Sequence, residues 1–347
     1  MSSGLSLISI GLSNEKDLSL KALEEGRECD LLYFEAYTSK LNTSISVLRK
    51  VFRKDVAELK RSDLEEKSME LIERAKDKKI GVLVGGDCLA ATTHITLIIE
   101  AKRMGVPTKI IHGSSILTAV AETGLSLYKF GRTVTMPLPE KSSADSVLEA
   151  LQDNLEQGLH TLILLDLDIE SGRFITVNKA LKTLIKSDTR DLINEDTVVI
   201  GLSRLGWDGS IIAVGRASEI SEKDFGETPH ALIIPGMLHF VEEEALHILH
   251  GCPEELLKER KMISQTDHLV AKYASSCSRV LDGLEIGSLP KTIQSKEVED
   301  LISHARRYLN DASYFASIRK TTALVSISYC EGLLDALKLL GLVDFEW

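Results

Sequence analysis

The sequence lacks two features that would point to particular classes of protein. It has no excess of basic residues, since 41 Lys and Arg stand against 52 Asp and Glu and give a formal net charge of −11. This balance argues against a broad electrostatic footprint for nucleic acid, although it leaves room for a local basic patch. Its 5 cysteines are scattered and include no C-x-x-C pair. Reduced thiols in a cytosolic protein fit this spacing better than a disulfide or zinc framework.

Long apolar runs are missing as well. The longest, such as Leu162–Leu165 and Ala231–Pro235, are far too short to cross a bilayer. The segment Met1–Ile10 has no basic region ahead of its apolar stretch, so it does not look like a signal peptide. We therefore expect a cytoplasmic protein with no membrane partner and no nucleic-acid partner.

Short apolar runs that alternate with helical patterns occupy the first two thirds of the chain. With 347 residues and 44% apolar content, the chain is long enough for two or three domains. The alternation predicts an α/β fold with a mainly parallel sheet covered on both faces. The predicted strands are Leu5–Ile10, Leu31–Ala36, Ile80–Val84, Thr108–His112, Thr161–Leu167, Thr197–Leu202, Ile211–Val214 and Leu232–Ile234.

From Glu254 onward the strand signals vanish and only helical patterns remain. They cover residues 258–284, 295–319 and 320–340, with a predicted linker at 284–290. We therefore predict two α/β domains followed by a C-terminal all-α helical module. The expected boundaries are 1–114, 115–255 and 256–347.

The most informative stretch is residues 80–94, where an apolar run meets a glycine pair and an aspartate. Ile80–Val84 predicts a buried strand, the glycines and Asp87 follow it, and a helical pattern begins near Leu89. Paired glycines at the carboxyl end of a strand let a ligand approach the backbone, and ligands of open α/β sheets bind at that edge. Asp87 is either a polar contact for such a ligand or the N-cap of the next helix, and the local pattern favours the cap.

Seven blocks of sequence, read in order, carry more information than any single motif. They are Ile10–Leu18, Tyr33–Ser39, Gly86–His94, Ile111–Val120, Gly124–Gly131, Gly158–Asp166 and Asp224–Gly236. Together they make residues 1–255 resemble the diphthine synthases, which are methyltransferases of the tetrapyrrole-methylase fold. Residues 296–343 resemble a small archaeal helical domain of unknown function, which hints at an archaeal source.

The resemblance implies two α/β domains with S-adenosylmethionine in the cleft between them, and usually a homodimer. Family members methylate the amino group of the 3-amino-3-carboxypropyl arm on a histidine of translation elongation factor 2, in diphthamide biosynthesis. Cysteine at position 88 replaces the proline usual in the family, which we expect to leave that loop freer. No residue is assigned as a general base. The cofactor contacts implied by the matching blocks are Leu12, Asp87, Ala90, Ser115, Ile116, Leu165, Leu205 and His230.

Other polar clusters allow competing interpretations. Asp166 and Asp168 are either paired carboxylates or, as we favour, strand-end residues that face solvent or cap a turn. His94 and His112 flank the expected cleft, where structural hydrogen bonding is at least as well supported as a role in a substrate channel. Histidines and glutamates recur between residues 239 and 250, at His239, Glu242, Glu243, His247 and His250. They lack the H-E-x-x-H spacing of a zinc site, so we favour a solvated amphipathic helix and expect no metal.

Three functions stay open from the sequence alone. The first is methyl transfer to elongation factor 2. The second is a methyltransferase of the same fold that acts on a tetrapyrrole or on ribosomal RNA, of which the acidic balance disfavours RNA. The third is a catalytically degenerate protein that binds the cofactor and uses its helical tail to recruit a partner.

Overall fold

A computed structural model describes residues 3–139, 142–169, 171–258, 265–287, 289–316 and 318–347. Its strands are β1 Gly4–Gly11, β2 Leu31–Glu35, β3 Ala57–Leu59, β4 Lys79–Gly85, β5 Thr108–Ile111, β6 Val134–Met136, β7 Thr161–Leu165, β8 Leu167–Asp168, β9 Arg173–Phe174, β10 Val198–Ser203, β11 Ile211–Arg216, β12 His230–Ile234, β13 Glu285–Ile286 and β14 Val343–Asp344. Its helices are α1 Leu20–Glu28, α2 Ile45–Phe52, α3 Arg61–Glu65, α4 Ser68–Arg74, α5 Ile95–Arg103, α6 Ile116–Ala119, α7 Asp145–Glu156, α8 Val177–Ser187, α9 Ala217–Glu222, α10 Phe240–His250, α11 Glu254–Lys258, α12 Gln265–Gly283, α13 Ser295–Phe315 and α14 Lys320–Leu339.

The first sheet has the strand order β3-β2-β4-β1-β5, and all of its strand pairs are parallel. Its central strands β1 and β4 are buried almost along their whole length, because helices cover a parallel sheet on both faces. The parallel α/β arrangement predicted for this half is confirmed. All five strands point their carboxyl ends to one edge, so the loops that follow β1, β4 and β5 lie near one another.

The second sheet has the order β11-β10-β12-β7-β6 and is mostly antiparallel. Its β10–β11, β10–β12 and β12–β7 pairs are antiparallel, and only β6–β7 is parallel. The prediction of a mainly parallel sheet is therefore wrong for this half. Only residues 204–210 join β10 to β11, and so short a connection cannot carry the crossover that parallel neighbours need.

The helix predicted to begin near Leu89 begins instead at Ile95. The intervening residues form turns, because their polar groups bond locally. Leu89 N donates to the Asp87 carboxylate at 3.0 Å, and Thr92 Oγ1 donates to the Cys88 carbonyl at 2.9 Å. Ala91 adopts a left-handed backbone with φ 56°. Local side-chain bonds of this kind compete with helix formation.

Chain contacts divide the molecule into two units, Met1–Arg260 and Lys261–Trp347. The first unit contains both five-stranded sheets. In the second, helices α12, α13 and α14 enclose a core that includes the buried Cys277 and Cys330, which confirms the helical module. Within the described ranges, no helix is both long and apolar enough to span a membrane.

The predicted linker at 284–290 contains strand β13, which pairs with β14 near the end of the chain. Sequence periodicity missed this pair because each strand is only two residues long. Residues 259–264, the start of the helical pattern predicted over 258–284, lie outside the described residues. The domain boundaries expected at 114/115 and 255/256 stay predictions.

Candidate active site

A cavity of about 290 Å³ in the first unit is lined by loops from both sheets. The parallel sheet contributes the segments that follow β1, β4 and β5, and the second sheet contributes the ends of β7, β10 and β12. Each residue that the resemblance marks as a cofactor contact lines this one cavity: Leu12, Asp87, Ala90, Ser115, Ile116, Leu165, Leu205 and His230. The fold therefore brings together all eight positions, which are spread over more than 200 residues of sequence.

Two paired glycines lie at the parallel-sheet side of the cavity, and Gly86 lines it. Gly11, the last residue of β1, and Gly86, just after β4, exchange backbone hydrogen bonds of 3.2 and 2.7 Å. Both have positive φ, 100° and 70°, a region that glycine adopts without steric strain. A Cβ built on Gly86 would meet no atom within 4 Å, so the space beside this backbone is open.

Asp87 ties the loop after β4 to the loop after β5. Its Oδ1 accepts from Leu89 N at 3.0 Å, and its Oδ2 accepts from Gly113 N at 3.1 Å and pairs with His112 Nδ1 at 2.8 Å. Burial raises the pKa of this carboxyl, but these hydrogen bonds and the nearby His112 outweigh burial and leave the pKa below its usual value. Asp87 is thus an ionised turn-former that also faces the cavity, but it does not cap a helix.

The segment after β5 presents Ser115 and Ile116 to the cavity. Ser115 is buried and caps α6, because its hydroxyl accepts from Leu117 N at 3.2 Å. His94 and His112 do not line the cavity. His94 is buried against the Cys88 carbonyl at 3.3 Å, and His112 supports Asp87, so both histidines hold the loops in place.

Cys88 makes a contact that proline at the same position could not make. Its backbone N–H donates to Ser9 Oγ at 2.9 Å, and its side chain is fully buried. Proline has no N–H to donate. The loop after β4 is therefore fastened to β1 by a hydrogen bond, and the freer loop expected from the substitution stays a prediction.

The second half of the unit supplies apolar walls and a buried histidine. Leu165 and Leu205 are nearly inaccessible to solvent. His230 Nδ1 accepts from Val177 N at 3.4 Å and its Nε2 donates to the Glu227 carbonyl at 3.2 Å. Burial lowers the pKa of His230 below its usual range, although backbone carbonyls partly oppose this effect. The ring therefore stays neutral at neutral pH.

Two contacts join the halves of the unit across the cavity. Trp207 Nε1 donates to the Leu12 carbonyl at 2.8 Å, and Lys40 Nζ pairs with Glu227 Oε2 at 3.2 Å. Neither Trp207 nor Lys40 was predicted from the sequence as part of the site. A signal for Trp207 was present, since it is one of only two tryptophans and lies in a segment with two glycines.

Glu242, from the run considered as a metal site, is a structural carboxylate. It is 1% exposed in the first turn of α10 and accepts from Ser126 N, His239 N, His160 Nε2 and the Lys129 ammonium. Among the described residues no group of three potential ligands is placed to hold a metal.

Asp166 and Asp168 also use their carboxylates in local structure. Asp166 accepts from Leu138 N at 3.3 Å and Leu167 N at 2.9 Å. Asp168 pairs with Arg173 at 3.1 Å across the β8–β9 hairpin. This arrangement matches the strand-end interpretation, although Asp166 also lines the cavity.

Comparison with known proteins decides the family. Residues 4–221 match the family described as Tetrapyrrole (Corrin/Porphyrin) Methylases. A diphthine synthase from Methanocaldococcus jannaschii is 41% identical over 71% of this chain and 98% of its own length. The diphthine synthase of Methanosarcina mazei is 38% identical over 73% and 98%. The chain belongs to the diphthine synthase family. Its first unit is therefore that of an S-adenosylmethionine-dependent methyltransferase.

Structural comparison supports the same family. A crystal structure of diphthine synthase superimposes with a TM-score of 0.68 at 39% identity, over 73% of this chain and 98% of that chain. The tetrapyrrole-methylase fold predicted from the sequence is thus confirmed.

The helical unit lies beyond the diphthine synthase match. Residues 272–343 match a family described as Protein of unknown function (DUF357). This match begins ahead of the predicted 296 and includes most of α12.

Proposed function

We propose that this chain transfers methyl groups from S-adenosylmethionine to the amino group of the 3-amino-3-carboxypropyl-histidine of translation elongation factor 2, in diphthamide biosynthesis. The observation that carries the proposal is the convergence of all eight expected contact residues on one cavity. Relatives named diphthine synthase, matched over nearly their whole length, support the choice of substrate.

The lining of the cavity suits S-adenosylmethionine. Leu12, Ile116, Leu165 and Leu205 form apolar walls of the kind that an adenine ring needs, and a few polar groups are placed among them. The open backbone at Gly86 leaves room for a ligand to approach closely. We propose the eight converging residues as the cofactor contacts.

The bound cofactor would supply an electrophilic methyl group on a sulfonium, which needs no covalent help from the protein. The chain's own residues hold the two reactants in line and keep water out. Asp87 fixes the two loops that carry Ala90 and Ser115, so it sets the shape of the cavity. The neutral His230 adds no positive charge beside a cationic ligand.

The proposal extends to the organisation of the protein. We propose that residues 1–114 and 115–255 are the two methyltransferase domains, because each contains one of the two five-stranded sheets. Residues 256–347 are then the helical module. A homodimer in the cytoplasm, with neither nucleic acid nor membrane as a partner, follows from the family resemblance and from the acidic composition.

Two measurements test the function. Calorimetry with S-adenosylhomocysteine should give saturable binding, and its absence in well-folded protein would count strongly against the cofactor. A methyl-transfer assay with elongation factor 2, a precorrin and ribosomal RNA as acceptors should label only elongation factor 2. Binding without transfer to any of these acceptors would favour the degenerate, partner-recruiting alternative.

A further inference from the structure

A groove of about 500 Å³ extends the cavity on one side, and its lining shows where an acceptor can enter. Groove and cavity share a set of lining residues: Tyr37, Thr38, Arg61, Ala91, Thr92, Thr135 and Leu164. None of the eight proposed cofactor contacts lines the groove. A second neighbouring pocket, which contains Lys179, shares only Lys40 with the cavity. The groove therefore shares more of its lining with the cofactor cavity than that pocket does.

The groove is lined mainly by neutral residues, and its charges are confined to one ion pair. Thr38, Thr92, Thr93, Thr133 and Thr135 supply hydroxyl-bearing side chains, and Arg61 and Glu65 supply the charges. Of the residues that line both spaces, Arg61 is the one with a charge. A negatively charged group in the groove therefore meets Arg61 before it reaches Lys40 and Arg204, which line the cavity and not the groove.

Arg61 is held in place without being neutralised strongly. Its guanidinium lies over the Tyr37 ring at 5.2 Å, a contact that restricts the side chain. Its ion pair with Glu65 is 3.6 Å long, and both side chains are about half exposed. Exposed ion pairs of this type contribute little free energy, so a better-placed carboxylate can displace Glu65 from Arg61.

We propose that Arg61 binds the carboxylate of the acceptor's amino-carboxypropyl arm and thereby positions the amine for methyl transfer. This inference rests on the proposed function, because that arm carries its carboxylate and its amine on the same carbon atom. A residue that fixes the carboxylate therefore fixes the nucleophile as well. Arginine suits the task, since its planar fork matches a carboxylate with two parallel hydrogen bonds.

The test measures methylation of elongation factor 2 by the full chain and by four variants. Arg61→Ala should raise KM for the acceptor by about tenfold to a hundredfold, the usual loss for a charge-assisted hydrogen bond, with unchanged S-adenosylhomocysteine affinity. Arg61→Lys should recover part of this loss, because lysine keeps the charge without the fork. Glu65→Gln should lower KM about twofold by releasing Arg61 from its competitor. Arg74→Ala is the matched control.

Arg74 makes a good control because it also lies over a tyrosine, Tyr33, at 5.7 Å, but lines neither the cavity nor the groove. Its loss should leave KM unchanged. If Arg61→Ala behaves like Arg74→Ala while the unmodified chain methylates elongation factor 2, the inference is wrong and the proposed function stands. A parallel fall in S-adenosylhomocysteine affinity would place Arg61 in the cofactor site and also overturn it. No methylation by the unmodified chain would overturn both.

Discussion

The two sheets of the first unit reach the same cavity by different routes. The parallel sheet delivers loops from the carboxyl ends of β1, β4 and β5, as expected for open α/β sheets. The mostly antiparallel sheet contributes the carboxyl ends of β7 and β10 together with the amino end of β12, which begins at His230. Antiparallel neighbours place opposite chain ends at one edge, so residues far apart in sequence can share it.

Two carboxylates, Asp87 in the first half and Glu242 in the second, also differ in burial and in role. Asp87, in the first half, is partly accessible and joins two cavity loops. Glu242, in the second half, is buried and fastens α10 to residues 126, 129 and 160, none of which lines the cavity. We conclude that Asp87 shapes the site, whereas Glu242 holds the fold.

The largest expected effect is on stability, and it follows removal of the buried carboxylate of Glu242 in the second half. Glu242→Ala should lower the free energy of unfolding by about 3 kcal/mol, because Lys129 loses its carboxylate partner and the N–H groups of Ser126 and His239 lose their acceptor. Urea unfolding measures this. Glu244→Ala, an exposed glutamate on the same helix, is the control and should change stability little. A large loss of S-adenosylhomocysteine affinity in folded Glu242→Ala protein would contradict the structural role.

The same residue predicts a pH dependence. Burial raises the pKa of Glu242, but Lys129 and the other donors lower it to about 2 from an ordinary 4.5. The unfolded chain therefore takes up a proton below about pH 4.5 while the folded chain does not, so this contribution to stability is lost as the pH falls toward 2. Glu242→Ala should show a shallower loss of stability with acid than the unmodified chain.

Removal of Asp87 should have its main effect on binding. Asp87→Ala should weaken S-adenosylhomocysteine binding about tenfold while the protein stays folded, because the loops that carry Ala90 and Ser115 lose their shared anchor. Calorimetry and thermal unfolding measure the two effects. Asp168→Ala removes a strand-end carboxylate that does not line the cavity, and it should leave affinity unchanged. Equal affinities for both variants would show that Asp87 is only a turn-former.

The smallest expected effect concerns the hydrogen bond that joins the two halves, between Trp207 and the Leu12 carbonyl. Trp207→Phe removes the hydrogen bond to the Leu12 carbonyl, so S-adenosylhomocysteine affinity should fall about threefold, with about 1 kcal/mol less stability. A Trp347→Phe variant leaves Trp207 as the remaining tryptophan of the two. Its fluorescence should then change on titration with S-adenosylhomocysteine. A constant signal would argue that Trp207 does not respond to the ligand.

Much of the candidate site could be anticipated from the sequence, and the errors have identifiable causes. Buried strands look alike whichever way they run, so the direction of β10, β11 and β12 was not readable from their apolar residues. The late start of α5 depended on local bonds around Asp87 and Cys88, which helical periodicity does not encode. The β13–β14 pair was too short to leave a pattern.

The collinear blocks of sequence were enough to predict the family. Short-range patterns were enough to predict the strand and loop around Asp87 and the helices of the last third, because these features depend on residues close together in the chain. Tertiary structure alone decided that Arg61 faces the groove and that Trp207 meets Leu12. Such contacts join residues from separate elements, and their distances depend on how the strands are ordered and packed. An exposed arginine on a short helix has the same local pattern whether it faces a groove or open solvent.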